Sequence, residues 1–216
     1  MLTLLILYLV FLGTLMFRIL IGIIVTVSST FVFAAGDPQH GKELSAVCAA
    51  CHGQDGNSSA GAFPSLAGQG QRYLVKQLQD IKSGNRAAIL MTGILDAYSA
   101  QDMQDVAAYY SAQTPTGGAA DPALLAQGET IYRAGVARKS IAACTACHSP
   151  TGQGNAAAAF PMLAGQWPEY TEAQLKAFRS GVRHNDGDSQ MMRLNAMDLS
   201  DKEITAVASY IRGLGK

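Results

Sequence analysis

The stretch "CAACH", Cys48 to His52, recurs as "CTACH", Cys144 to His148, and the two hold all four cysteines of the 216-residue chain. Two Cys-x-x-Cys pairs admit a pair of disulfides, or four thiolates around zinc. Neither explains a histidine directly after the second cysteine both times, in a chain with only four histidines. A thioredoxin-like redox pair needs a βαβ setting, and this Gly- and Ala-rich chain shows no strand pattern. Covalent attachment of haem c needs all three residues. The thiols of Cys48 and Cys51 add to the two vinyl groups of one haem, and the imidazole of His52 is carried to the iron; Cys144, Cys147 and His148 repeat the arrangement. The expected cofactors are two haem c groups, one per repeat.

Aligned with itself, the sequence is a tandem duplication. Cys48 and Cys144 lie 96 residues apart; "FPSLAGQ" (Phe63 to Gln69) meets "FPMLAGQ" (Phe160 to Gln166) at 97, as do Tyr73 and Tyr170. Ser99 and Ser200, Val106 and Val207, and Tyr109 and Tyr210 meet at 101. The expected organisation is one domain over 36–111, a linker over 112–122 rich in Pro, Gly and small residues, and a second domain over 123–216. Leu74, Leu78 and Ile81, and Met103, Val106 and Tyr110, fall at helix spacing, answered by Leu175 and Phe178 and by Ile204, Val207 and Ile211. Ser200 with Glu203 reads as a capping box opening the last helix, and Ser99 with Asp102 as a weaker relative of it. The fold class is all-α.

A His-bound haem iron needs a sixth ligand, commonly Met or a second His. Of eight methionines, only Met91 and Met192 are methionine in both repeats, at the offset of 101 that governs this part of the chain. They are the candidate metal ligands beside His52 and His148, with Met191 the rival to Met192. His40 and His184 do not recur; His184, in "RHNDGDS", reads as a solvated loop residue. Trp167 and the tyrosines read as packing residues.

The segment 1–34 is almost wholly apolar. Read from Met16, it has the order of a secretory signal: Arg18, an apolar "ILIGIIVTV", then small residues ending at Ala34. An uncleaved membrane segment is the alternative. Either way the expected location is the periplasm, possibly at the membrane. Sixteen basic residues balance sixteen acidic ones, which excludes the uniform positive charge of a nucleic-acid binder. The first repeat is slightly acidic and the second slightly basic, so the second is expected to dock the more acidic partner surface.

The segments "GKELSAVCAACHG", "FPSLAGQ" and "MTGILDAYSAQDMQDVAAYY", with their second-half partners, resemble dihaem cytochrome c4, a family of two tandem class I cytochrome c domains, over essentially all of Asp37 to Lys216. The resemblance implies helices wrapped around each haem, His/Met ligation, and carbonyls at Pro64 and Pro161 that accept from the proximal imidazoles. It also implies a close approach of Gly41 to the Tyr109 region and of Gly128 to the Tyr210 region. With both axial positions filled the protein is expected to carry electrons, not to be an enzyme. The expected partners are a quinol-oxidising complex as donor and a terminal oxidase as acceptor. The alternatives are a haem-bearing subunit of a membrane dehydrogenase or oxidase complex, or a haem enzyme with an open coordination position.

Overall fold

The computed structural model describes residues 36–215. The leader 1–34 and its proposed start at Met16 lie outside the described residues. Within them the fold is all-α: α1 (Pro38–Leu44), α2 (Ala49–His52), α3 (Gln71–Lys82) and α4 (Ala100–Ser111) form the first repeat. The second comprises α5 (Leu125–Ala134), α6 (Thr145–His148), α7 (Pro168–Arg179), α8 (Met191–Ala196) and α9 (Asp201–Gly213). Two isolated bridges, Val136 with Ile141 and Asn155 with Phe160, tie loops of the second repeat without making a strand.

Local chemistry starts these helices where the sequence says it should. Asp37 caps α1, accepting from Gln39 N at 2.8 Å, with Pro38 in the first turn, where a missing N–H costs nothing. Both final helices open on complete capping boxes: Ser99 with Asp102 is as closed as Ser200 with Glu203. The shorter Asp side chain still reaches, with Ser99 N donating to Asp102 Oδ2 at 2.7 Å. Each box satisfies two N–H groups that the first helical turn leaves without partners.

In each repeat the first helix crosses the last, α1 on α4 and α5 on α9, and a glycine marks the crossing. A Cβ on Gly41 would stand 1.9 Å from Asp105 O, and one on Gly128 2.2 Å from Ala206 O. The Gly128 contact includes Tyr210, as the resemblance implied. Gly41 instead meets Asp105 and Val106, one helical turn before Tyr109, because it is the backbone carbonyl of α4 that comes closest.

The cores are unequal. Leu74, Val106, Ala107 and Tyr110 form the first, whereas the second gathers twelve buried residues including Ile131, Tyr132, Ile204 and Val207. Leu44, Cys48, Leu66, Leu78 and Tyr98 pack on the first cluster while partly exposed, and a domain this small buries little apolar surface for its length.

Candidate haem sites

Each CxxCH motif forms a single helical turn. Cys48 and Cys144 take αR geometry just ahead of α2 and α6. His52 N and His148 N each donate to the carbonyl of that first cysteine at 2.9 Å. Residues three apart share one face of a turn, so both thiols of a motif lie on one side, with the histidine next to them. None of the four is bridged. Among the described residues, the only cluster of three or more metal-binding side chains is His40, Asp102 and Asp105. The four thiols therefore form no zinc set. The His40 cluster explains itself, since Asp105 is engaged by His40 Nδ1, Asp37 N and Gln101 Nε2, all at 2.8 Å.

His52 and His148 are buried, 7% and 6% exposed. Desolvation lowers the pKa of both, opposed by the bond each makes to a proline carbonyl. His52 Nδ1 bonds Pro64 O and His148 Nδ1 bonds Pro161 O, both at 2.9 Å. A carbonyl can only accept, so the proton of the neutral ring sits on Nδ1 and the lone pair on Nε2. This is the tautomer a metal ligand needs, with its ring direction fixed by the second bond. Phe63 stands edge-on to His52 with centroids 6.4 Å apart, and Phe160 flanks His148 at 6.5 Å. The "FP" of each "FPxLAGQ" thus supplies both the acceptor and a ring that keeps water away.

The two methionine segments differ. Met91 ends a 3-10 turn (Ile89–Met91) and lines a cleft of about 490 Å³ with Ile81, Arg86, Ile89 and Leu95. Met192 is in the first turn of α8 and half-buried, whereas Met191 is 39% exposed. Asp186 holds this turn, its Oδ2 accepting from Met192 N at 3.1 Å and Arg193 N at 2.9 Å and its Oδ1 from Arg193 Nε at 2.7 Å. Burial alone would raise the Asp186 carboxyl, but these bonds hold it below the usual carboxylate range. The longer loop "HNDGDSQ" therefore carries its own support for Met192. His184 in that loop is exposed and, among the described residues, bonds only Val182 O, at 3.4 Å, as expected of a solvated residue.

The sequence reading missed how the repeats meet. Ser65 N donates to Gln166 Oε1 and Gln166 Nε2 returns to Ser65 O, both at 2.9 Å. In mirror fashion Met162 N donates to Gln69 Oε1 at 2.8 Å and Gln69 Nε2 to Met162 O at 2.9 Å. Beside them lies a second reciprocal set. Arg86 bonds Gln77 of its own repeat at 2.9 Å and Tyr170 and Gln174 of the other at 2.8 and 3.3 Å. Arg183, its equivalent at the offset of 97, bonds Gln174 at 2.7 Å, then Tyr73 and Gln77 across the junction at 3.3 and 3.0 Å. Tyr73 and Tyr170 are thus junction residues, as is Trp167, whose Nε1 donates to Ser58 O at 2.9 Å and whose ring stacks on Arg212. The signal was present in the pairing of Tyr73 with Tyr170 and of the two glutamines, but pairing alone does not say that equivalent residues face each other.

These guanidiniums are engaged by neutral oxygens. Burial alone would raise the Tyr73 hydroxyl, but the Arg183 and Arg86 charges pull it below its ordinary value. The donor set therefore fits haem c on two counts: paired unbridged thiols, and a neutral imidazole with Nε2 free.

Comparison with known proteins agrees. The cytochrome c family profile matches residues 38–112 and 125–215. The chain is 51% identical to cytochrome c4 of Azotobacter vinelandii over 91% of its length and 99% of that protein. It superposes on the crystal structure of reduced recombinant cytochrome c4 from Pseudomonas stutzeri with a TM-score of 0.82 and 53% identity, covering 83% of this chain and all of that one. A more distant relative, 40% identical over 78% of this chain and 79% of its own, is the thiosulfate dehydrogenase electron acceptor of Stutzerimonas stutzeri. The chain belongs to the cytochrome c4 family, electron-transfer proteins built of two cytochrome c domains with one covalently bound haem c in each.

Proposed function

We propose that Cys48 and Cys51 hold one haem c with His52 and Met91 as axial ligands, and that Cys144, Cys147, His148 and Met192 do the same for the second. The observation that carries this is the duplicated 2.9 Å bond from His Nδ1 to a proline carbonyl, which leaves Nε2 free next to two unbridged thiols. Haem c supplies a one-electron iron couple, whose potential thioether ligation raises. The chain's own residues do the rest. The proline carbonyls orient the imidazoles, Phe63 and Phe160 exclude water, and the methionines close the sixth position against substrates. Arg86 and Arg183 would offer positive charge to the haem carboxylates, and the cofactor would complete the small core of the first repeat. The proposed domains are 36–111 and 123–216, joined by the linker 112–122.

The protein then acts as a periplasmic carrier from a quinol-oxidising complex to a terminal oxidase, exported by the leader 1–34. No helix of the described residues is long and apolar enough to cross a membrane. A second reading has support in the relative that accepts electrons from thiosulfate dehydrogenase: a periplasmic dehydrogenase in place of the quinol-oxidising complex as donor. Mass spectrometry of exported protein should show two haem additions, and the reduced protein should bind little carbon monoxide. One haem, or stoichiometric carbon monoxide binding, overturns the ligand assignment. Rates of reduction by purified quinol-oxidising complex and by thiosulfate dehydrogenase decide between the donors.

A further inference from the structure

The two junction glutamines contact more than a neighbouring loop. Pro64 O, which accepts from His52 Nδ1, belongs to the same peptide group as Ser65 N, and Ser65 N donates to Gln166 Oε1. In the second repeat Pro161 O accepts from His148 Nδ1, and the N–H of that peptide, Met162 N, donates to Gln69 Oε1. Each proximal imidazole is therefore one peptide group away from a side chain of the other repeat. Both glutamines are buried, 5% and 9% exposed. Their orientation is set by function of atom type: Nε2 must face the Ser65 or Met162 carbonyl, and Oε1 the N–H.

A peptide whose N–H is hydrogen-bonded carries more negative charge on its oxygen, because bonds at the two ends polarise one another by about 10–30% in a low-dielectric interior. A stronger acceptor at Nδ1–H makes the imidazole a more basic ligand, which favours the oxidised, more positive iron. We propose that Gln166 is a positioning residue for His52 and Gln69 for His148, so that each repeat lowers the haem potential of the other through a single shared peptide group. This rests on His52 and His148 being axial ligands. It places the junction in the tuning of both couples: a partner or substitution that parts the repeats raises both potentials together.

The crossing separates this from ordinary packing. Gln166 is on the loop that also carries Pro161, the acceptor of His148. A glutamine that merely held its own loop in place would, when lost, disturb the haem of the second repeat; the relay instead predicts an effect on the first.

The test is a redox titration of the intact dihaem protein, with each haem followed by its own methyl resonances, in Gln166→Leu, Gln69→Leu and Gln166→Glu. In Gln166→Leu the first-repeat couple should favour reduction about threefold more than in the wild type, a rise of about 30 mV at 59 mV per tenfold for one electron, with the second unchanged. Gln69→Leu should give the mirror result. Gln166→Glu keeps an acceptor oxygen for Ser65 N, now a charged and stronger one, while losing the Nε2 donor, so its first-repeat potential should fall below the wild-type value and its His52 Nδ1–H resonance should move. A shift confined to the substituted repeat, equal shifts in both, or a rise in Gln166→Glu matching that in Gln166→Leu overturns the proposal. Should Gln166→Leu fail to fold, the His52 Nδ1–H resonance in Gln166→Glu decides, and its remaining at the wild-type position counts against the relay. A wild-type protein lacking two His-ligated low-spin haems would instead sink the ligand assignment, before any variant is made.

Discussion

Glu203 opens α9, and replacing it with Gln isolates the value of one buried charge. It is 6% exposed and bonds Lys139 Nζ at 2.6 Å, Arg138 Nη2 at 3.2 Å and Ser200 N at 2.8 Å. The Lys139 ammonium, then the Ser200 backbone, hold its carboxyl at about 2, against an ordinary 4.5. At about 1.4 kcal/mol per unit the ceiling is about 3 kcal/mol; exposure of Arg138, 74%, screens part of this, leaving about 2 kcal/mol. A depressed folded pKa stabilises above the unfolded value and loses that contribution as pH falls through the folded one. Glu203→Gln, which keeps the geometry of the capping box, should therefore cost about 2 kcal/mol at pH 7. The gap to wild type should close between pH 4.5 and about 2. Denaturant unfolding of the holoprotein, followed by circular dichroism at pH 7, 4 and 2.5, measures it. Asp102, the equivalent residue of the first repeat, caps Ser99 with no Lys or Arg among the described residues bonded to it, so Asp102→Asn should cost distinctly less. Equal loss in the two variants, or a Glu203→Gln deficit that does not change with pH, would refute the reasoning.

Tyr110 is 1% exposed and, among the described residues, its hydroxyl has no hydrogen-bond partner; Tyr110→Phe removes an unsatisfied buried group and should stabilise by about 1 kcal/mol, read as a higher denaturant midpoint. Ser149 has φ of 68° where the first repeat has Gly53 at 79°. Ser149→Gly should relieve about 1 kcal/mol of strain, less whatever is lost with the bond from Gln153 N to Ser149 Oγ at 2.9 Å, and a calorimetric Tm that falls would show that bond to dominate. Met192→Ala should open one iron to carbon monoxide while Met191→Ala leaves both closed; the reverse pattern would exchange the two assignments.

Much of the site was legible because its chemistry is local. Two thiols and an imidazole within five residues must share a helical turn, and a turn is what Cys48–His52 and Cys144–His148 form. The capping boxes were equally readable, being contacts between residues three apart. Met192 was selected over Met191 by its repeat partner, but why its loop is ordered was not visible. Asp186 is six residues away and acts through backbone N–H groups, which any residue possesses.

The sequence by itself determined the duplication, the haem-binding turns, the all-α class and the candidate ligands, since each rests on periodicity or on residues close in the chain. Only the tertiary structure decided that the repeats meet through Gln69, Gln166, Arg86 and Arg183. Those bonds join residues 84 to 110 positions apart, and half of each glutamine contact is to backbone atoms. A backbone donor carries no residue identity, so its partner emerges only when packing brings the two repeats face to face.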